Sequence, residues 1–432
     1  MIRRFLRWLL YAVTYLPTIF ALMLVLTSDS FAPRAFVDKV RLITAPYEFE
    51  FVSWTANAVW AKVLQFSLGE ERYISTADWH NIIVEYDDLL NGIFADEAEL
   101  TRIFSDPAVA DPMPASEAVR TGLARKRREQ SDRQNLVEAI LQEQVSAELR
   151  AEGFAVGGEV VPPVLFRFSP IPMGLIVSPR NAIRQDANIQ LLPGLTLEQQ
   201  IALETETERR LGVSALVVPF GGLGTFPTMI MESSWTAWVV EAITHEWTHH
   251  YLYLSPLGMG YETSPELRTI NETTATLVGK RIGAQVVRHN YPEWVRREGA
   301  PFPGAGISKT GLAAPRLAFD YQHEMYITRV EVDRMLAAGK IDEAEAYMEQ
   351  RRRFIMEHFE EHGHVIRRLN QAFFAFYGTY ADSPGERGED PVGPAVVALF
   401  DLCPSTGAFL RAVSQVASFP QLEQMVSGGR CG

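Results

Sequence analysis

The stretch Thr244-His245-Glu246-Trp247-Thr248-His249 decides how the rest of the chain is read. Just upstream, Trp238, Val239, Ala242 and Ile243 recur at spacings of three and four, the period of an amphipathic helix. The spacing predicts that the motif rides on a helix, where residues i and i+4 share one face. His245 and His249 then offer two imidazoles to a single cation. Glu246 points about 100° further round the axis, close enough to touch a water on that cation without binding the cation itself.

A catalytic zinc site takes three protein ligands and keeps one position open. In the H-E-x-x-H-x-x-G-x-x-H arrangement a later histidine is the third ligand. Here Leu252 and Ser255 stand at the Gly and His positions, which excludes it. Beyond His249 the next helical pattern contains Ile270-Asn271-Glu272-Thr273-Thr274-Ala275, opened by Pro265. The two segments together resemble the H-E-x-x-H and N-E-x-x-A pair of gluzincin-type zinc metallopeptidases. That resemblance implies one Zn²⁺ held by His245, His249 and Glu272, with Glu246 as general base. It also implies a zincin-like catalytic domain that hydrolyses a peptide or protein substrate with zinc-activated water.

One position departs from the family pattern. Several members carry an acid one turn after the third ligand to orient the first histidine, and this chain has Thr276 there. A backbone carbonyl, Glu241 and Glu266 are the alternatives for that acceptor. A looser similarity, over the half of the chain from about residue 225 onward, is to bacterial proteins classed as predicted aminopeptidases. It is carried by Asn271-Glu272 with Ala275, and by Asn370-Gln371-Ala372 with a following Tyr. Tyr377 and Tyr380 are therefore candidate donors to a developing oxyanion, with Tyr380 preferred. A plain core role competes for each.

Other residues weigh on the same question. His250 is turned away from His249 and reads as structural. His358, His362 and His364 read as a solvated surface rather than a second metal site. Pro227 favours an edge position for the strand-like run Thr225 to Met231, which would suit alignment of an extended substrate. Glu232, at its end, is weighed as an anchor for a substrate amine against an ordinary surface acid. Asn271-Glu272-Thr273 spells a glycan acceptor, discounted because that helix face turns toward the metal.

Composition bounds the answer without naming it. Of 432 residues, 47% are hydrophobic and 22% charged, enough for a sizeable core in one large domain or two ordinary ones. A net charge of −13 argues against nucleic acid as a partner. The two cysteines, Cys403 and Cys431, exclude a Cys-rich zinc ribbon. A single C-terminal clip in an oxidising compartment and two separate thiols both remain open.

Residues 8–28 carry no charge and follow Arg3, Arg4 and Arg7. As a helix they span about 30 Å, one bilayer core. An uncleaved anchor is favoured over a signal peptide, because the apolar run exceeds the usual signal length. This reading places the chain at the cell membrane as a single-pass protein, with the bilayer as partner and the catalytic domain extracytoplasmic.

The expected organisation is a tip and anchor over 1–29, a helical region over 30–154 and a zincin-like catalytic domain over 155–432. Within 44–66, Tyr47, Phe51, Trp54, Ala58 and Ala61 form one helical stripe, with Trp60 and Val63 off it. From Val160 to Met231, runs rich in Val, Ile and Phe are broken by Gly221, Gly222 and Gly224. They predict a small, largely antiparallel sheet. Leu197 to Leu211 interrupts them as a helix with Glu204 and Glu208 on its polar side. A Gly/Pro-rich loop over 297–316 is expected to border the cleft. The fold class is thus α+β, mostly helical, with a transmembrane helix in front. Two rival functions stay in view: a non-catalytic zinc-binding interaction protein, and a zinc amidohydrolase for a non-peptide substrate. Intact Glu246 weighs against the first.

Overall fold

The computed structural model describes residues 35–105, 109, 111–295, 319–358, 366–380 and 384–431. The longer helices of its first part are α1 (Ala35–Thr44), α2 (Phe51–Leu68), α3 (Thr76–Ser105) and α4 (Glu117–Ala151). Eight short strands follow: β1 (Ala155–Val156), β2 (Glu159–Val160), β3 (Phe166–Phe168), β4 (Met173–Pro179), β5 (Ala187–Leu191), β6 (Val213–Pro219), β7 (Gly222–Leu223) and β8 (Thr228–Ile230). Helix α5 (Leu197–Leu211) lies between β5 and β6. Two central helices, α6 (Thr236–Leu252) and α7 (Pro265–Asn290), come next. The chain closes with α8 (Tyr321–Ala337), α9 (Ile341–His358), α10 (Gln371–Tyr380), α11 (Val392–Leu402), α12 (Thr406–Val413) and α13 (Phe419–Ser427).

The strands form three sheets rather than one. Strands β5-β4-β6 are antiparallel, with Leu175 opposite both Ile189 and Val217. Successive side chains point to opposite faces. Ile176, Leu216 and Val218 meet Met325, Met348 and Phe374 of α8, α9 and α10. Leu175, Val177, Ala215 and Val217 meet Val40 of α1 and Leu203 of α5. Both faces are covered, which is why β4 and β6 read as continuous apolar runs instead of alternating ones. Pro219 ends β6 without an N–H to extend the ladder, and the chain leaves for a second sheet. There β8 is central, parallel to β3 and antiparallel to β7. Strands β1 and β2 make a separate hairpin.

Two expectations need correction. The expected single sheet is divided, and one of its pairings is parallel. The fold class with a transmembrane helix, and the single-pass location at the cell membrane, are overturned as well. Among the described residues no helix is long and apolar enough to cross a membrane. The long helices must each meet water along one face, and α4 accordingly carries Arg125-Lys126-Arg127-Arg128 within its 35 residues. The stretch 8–28, expected to span, lies outside the described residues, as does the loop 297–316.

Helices α6 and α7 run through the largest core. Val240, Ile243 and Trp247 of α6 and Ile270, Val278 and Ile282 of α7 pack with Tyr86 of α3, Ile140 of α4 and Phe409 of α12. Cys403 and Cys431 form a disulfide that ties the end of α11 to the C-terminal residues. Trp247 is the largest fully buried side chain. Its indole N–H donates to the Pro162 carbonyl at 2.8 Å, and its ring lies 5.2 Å from that of Phe154. Trp247→Ala removes this payload and leaves a cavity, so it is expected to cost about 3–5 kcal/mol. Urea unfolding measures it, and a loss below about 1 kcal/mol would contradict this packing.

Candidate metal centre

A side chain pins the start of helix α6, and its buried hydroxyls are satisfied within the helix. The Thr236 hydroxyl donates to both Asp87 carboxylate oxygens of α3, at 3.0 and 2.9 Å. Buried Thr244 and Thr248 donate to the carbonyls of Val240 and Thr244, each at 2.8 Å, so neither hydroxyl is left without a partner. Helix α7 starts on Ser264, whose hydroxyl oxygen accepts from the Leu267 N–H at 3.3 Å, with Pro265 in the first position.

What brings the two helices together is the absence of side chains at their crossing. Glu272, Ala275, Gly279 and Gly283 recur at helical spacing along α7. A Cβ on Gly279 would stand 2.9 Å from the Glu241 carbonyl oxygen and 3.3 Å from the His245 Cβ. One on Gly283 would stand 3.1 Å from the Glu241 Cα. The backbones approach more closely than any larger residue allows. Two turns before Gly279, the same face delivers the Glu272 carboxylate to the histidines.

The three sequence-predicted ligands converge. Glu272 Oε2 lies 3.4 Å from His245 Nε2 and 3.4 Å from His249 Nε2. The two Nε2 atoms are 3.1 Å apart. One donor atom from each residue falls within 4.8 Å of the others. An ion bound tetrahedrally about 2.0–2.1 Å from each nitrogen would hold them roughly 3.3 Å apart, close to what is found. Glu272 is buried, and its Oε2 makes no hydrogen bond among the described residues. A buried carboxylate oxygen without a donor calls for a cation. Two imidazoles and one carboxylate form the donor set of a catalytic zinc site, so these residues fit that metal.

Neighbouring groups hold the ligands in place. His249 Nδ1 is 2.7 Å from the Asn271 side-chain oxygen, an acceptor that favours the N–H on that nitrogen and turns Nε2 toward His245 and Glu272. For the second histidine, Asn271 supplies the acceptor from the residue before Glu272. Tyr261, in the loop between α6 and α7, donates its hydroxyl to Glu272 Oε1.

Electrostatics favour positive charge at this point. Burial works against the His249 imidazolium, but the Glu272 carboxylate outweighs it and pushes the group up to about 9. Burial likewise raises Glu272, yet the positive charge of His249 and His245 beside it holds it well below the usual carboxylate range. Glu246 sits beside the ligands and outside their cluster. Burial pushes its carboxyl up, and His245 and His249 pull it back. Strand β7 and the turn after it run past this carboxylate. A Cβ on Gly222 would stand 2.7 Å from Glu246 Oε1, and one on Gly224 3.3 Å from Oε2.

The remaining candidates fall elsewhere. His250 rests against Phe226, 5.5 Å between ring centres, and burial holds it low at about 4. Pro227 precedes the central strand β8, so β7, not the run after Thr225, is the edge beside Glu246. Glu232 accepts from the Tyr86 hydroxyl at 2.6 Å and from Gln130, which binds it into α3 and α4. Asn370 and Gln371 latch α10 to the Ala215 and Arg180 carbonyls at 3.0 and 2.7 Å. Tyr377 packs on Phe373 at 4.5 Å, in the core. Tyr380 ends α10, and its side chain lies outside the described residues. His358 is exposed, its ring tilted against Phe354 at 4.3 Å and stacked on Phe319 at 5.6 Å, while His362 and His364 lie outside the described residues. Asn271 is buried and closed to a glycan.

Compared with protein-family models, with curated proteins and with solved structures, the chain has no match.

Proposed function

We propose that the chain is a zinc-dependent hydrolase that cleaves peptide bonds, with His245, His249 and Glu272 as ligands and Glu246 as general base. The observation that carries this reading is the meeting of the two imidazoles at the orphaned Glu272 oxygen, with a second carboxylate, that of Glu246, beside them and outside the cluster. Bound zinc supplies a Lewis acid that activates water and polarises an amide carbonyl. Glu246 is placed to take the proton from that water and to return it to the departing amine. Its raised pKa suits a group that must hold and release a proton. Strand β7 is paired on one side only among the described residues, so an extended substrate can align along its outer edge, next to Glu246.

The test is metal content followed by a digest. The purified chain should carry one zinc, and the zinc-loaded chain should cut members of a peptide library in a chelator-sensitive way. A chain that takes up no zinc, or a loaded chain that leaves every peptide intact, would end this reading. The close approach of β7 adds a sharper check. Gly222→Ala must displace the Glu246 carboxylate, because backbone and Cβ cannot give way as easily. Turnover should fall on the order of 10²-fold, the scale of an ångström's misplacement. Zinc stoichiometry should stay at the wild-type value.

A further inference from the structure

We infer that Tyr261 is a positioning residue for the third ligand: its hydroxyl occupies Glu272 Oε1 and leaves Oε2 as the single donor to the cation. This rests on the three-ligand reading above and assigns a residue to it that no motif contains.

The two oxygens of Glu272 have opposite surroundings. Oε1 accepts from the Tyr261 hydroxyl, while Oε2 has no hydrogen bond among the described residues and faces both imidazoles at 3.4 Å. A carboxylate with both oxygens free can turn and bind a metal through the pair. The second oxygen then fills the position that water requires. A donor fixed on Oε1 prevents that rotation. It also draws negative charge off the ligand, which leaves the cation more electron-poor.

The loop holds the phenol where this requires. The Tyr261 N–H donates to the Gly258 carbonyl at 3.1 Å, and the Thr263 N–H to that of Gly260 at 3.0 Å. Within the first turns of α7, the Arg268 guanidinium lies 5.4 Å from the Tyr261 ring centre and bonds to Glu262 at 3.0 Å. On the metal side the ring stands edge-on to His249, 6.2 Å between centres. The tyrosine thus touches one ligand by its hydroxyl and flanks another by its ring.

The experiment uses the full chain, stripped of metal, as wild type and as Tyr261→Phe. Zinc affinity is read by competition with a chelator, and Co²⁺ is added as a spectroscopic probe. Tyr261→Phe should weaken zinc binding by about 10- to 100-fold, the usual effect of losing a partner that orients a ligand. Its Co²⁺ visible bands should lose intensity as the freed carboxylate raises the coordination number. Thermal unfolding of the metal-free variant should show a loss of no more than one hydrogen bond to a buried charge, about 1.5–3 kcal/mol, with the chain still folded at the temperature of the binding assay. Wild-type affinity and spectrum in the variant would overturn the inference, and so would a metal-free variant already unfolded at that temperature. Failure of the wild type to bind either metal would end the three-ligand reading itself, and this inference with it.

Discussion

Glu246→Gln should leave the zinc-loaded chain folded, metal-bound and almost inert, with turnover reduced by about 10²- to 10⁴-fold. The amide keeps the shape of the carboxylate, so the contacts with β7 persist. What it lacks is a site that accepts a proton at neutral pH. Glu246 is outside the cluster of donor atoms, so its replacement removes no ligand. Zinc stoichiometry is therefore expected to equal that of the wild type, and peptide turnover under saturating substrate is the readout. Full activity in Glu246→Gln would remove this residue from the chemistry. Loss of zinc along with activity would show it to be a ligand instead.

Glu272→Ala should have the opposite signature: activity disappears because the metal does. The two histidines remain a helical turn apart, but the one negative charge that compensates the cation is gone. Zinc bound by four ligands gains about 10–16 kcal/mol in small zinc-dependent domains, or about 2.5–4 kcal/mol for each ligand. That corresponds to a loss of roughly 10²- to 10³-fold in affinity. The Tyr261 hydroxyl loses its acceptor at the same time. Chelator competition on the metal-free chain gives the number. A variant that binds zinc as tightly as wild type would exclude Glu272 as a ligand and leave two buried helices with no centre between them.

The contrast between these variants follows from where each residue could be read. Spacing of four within α6 was enough to pair His245 with His249 and to set Glu246 aside, because one helix obeys a fixed period. Glu272 needed a second segment and a family resemblance, since nothing local tells how α6 and α7 cross. Their crossing depends on Gly279 and Gly283, residues that attract no notice in a sequence. Glu204 marks the same limit. Its place on α5 reads as a polar face, yet it is fully buried and accepts from the Val217 N–H at 2.7 Å and from Arg367 and Arg368. The partners that make burial tolerable come from about 160 residues away.

By itself the sequence determined the helices, their apolar stripes and the order of His245, His249 and Glu272 along them, because periodicity and turn chemistry act between neighbours. Tertiary structure alone decided the division of the strands into three sheets, the seat of β7 against Glu246 and the bonds of Asn271 to His249 and of Tyr261 to Glu272. Those contacts join elements whose approach is governed by packing across the whole core. A residue's side chain says what it can bond to, but only the folded chain says what lies within reach.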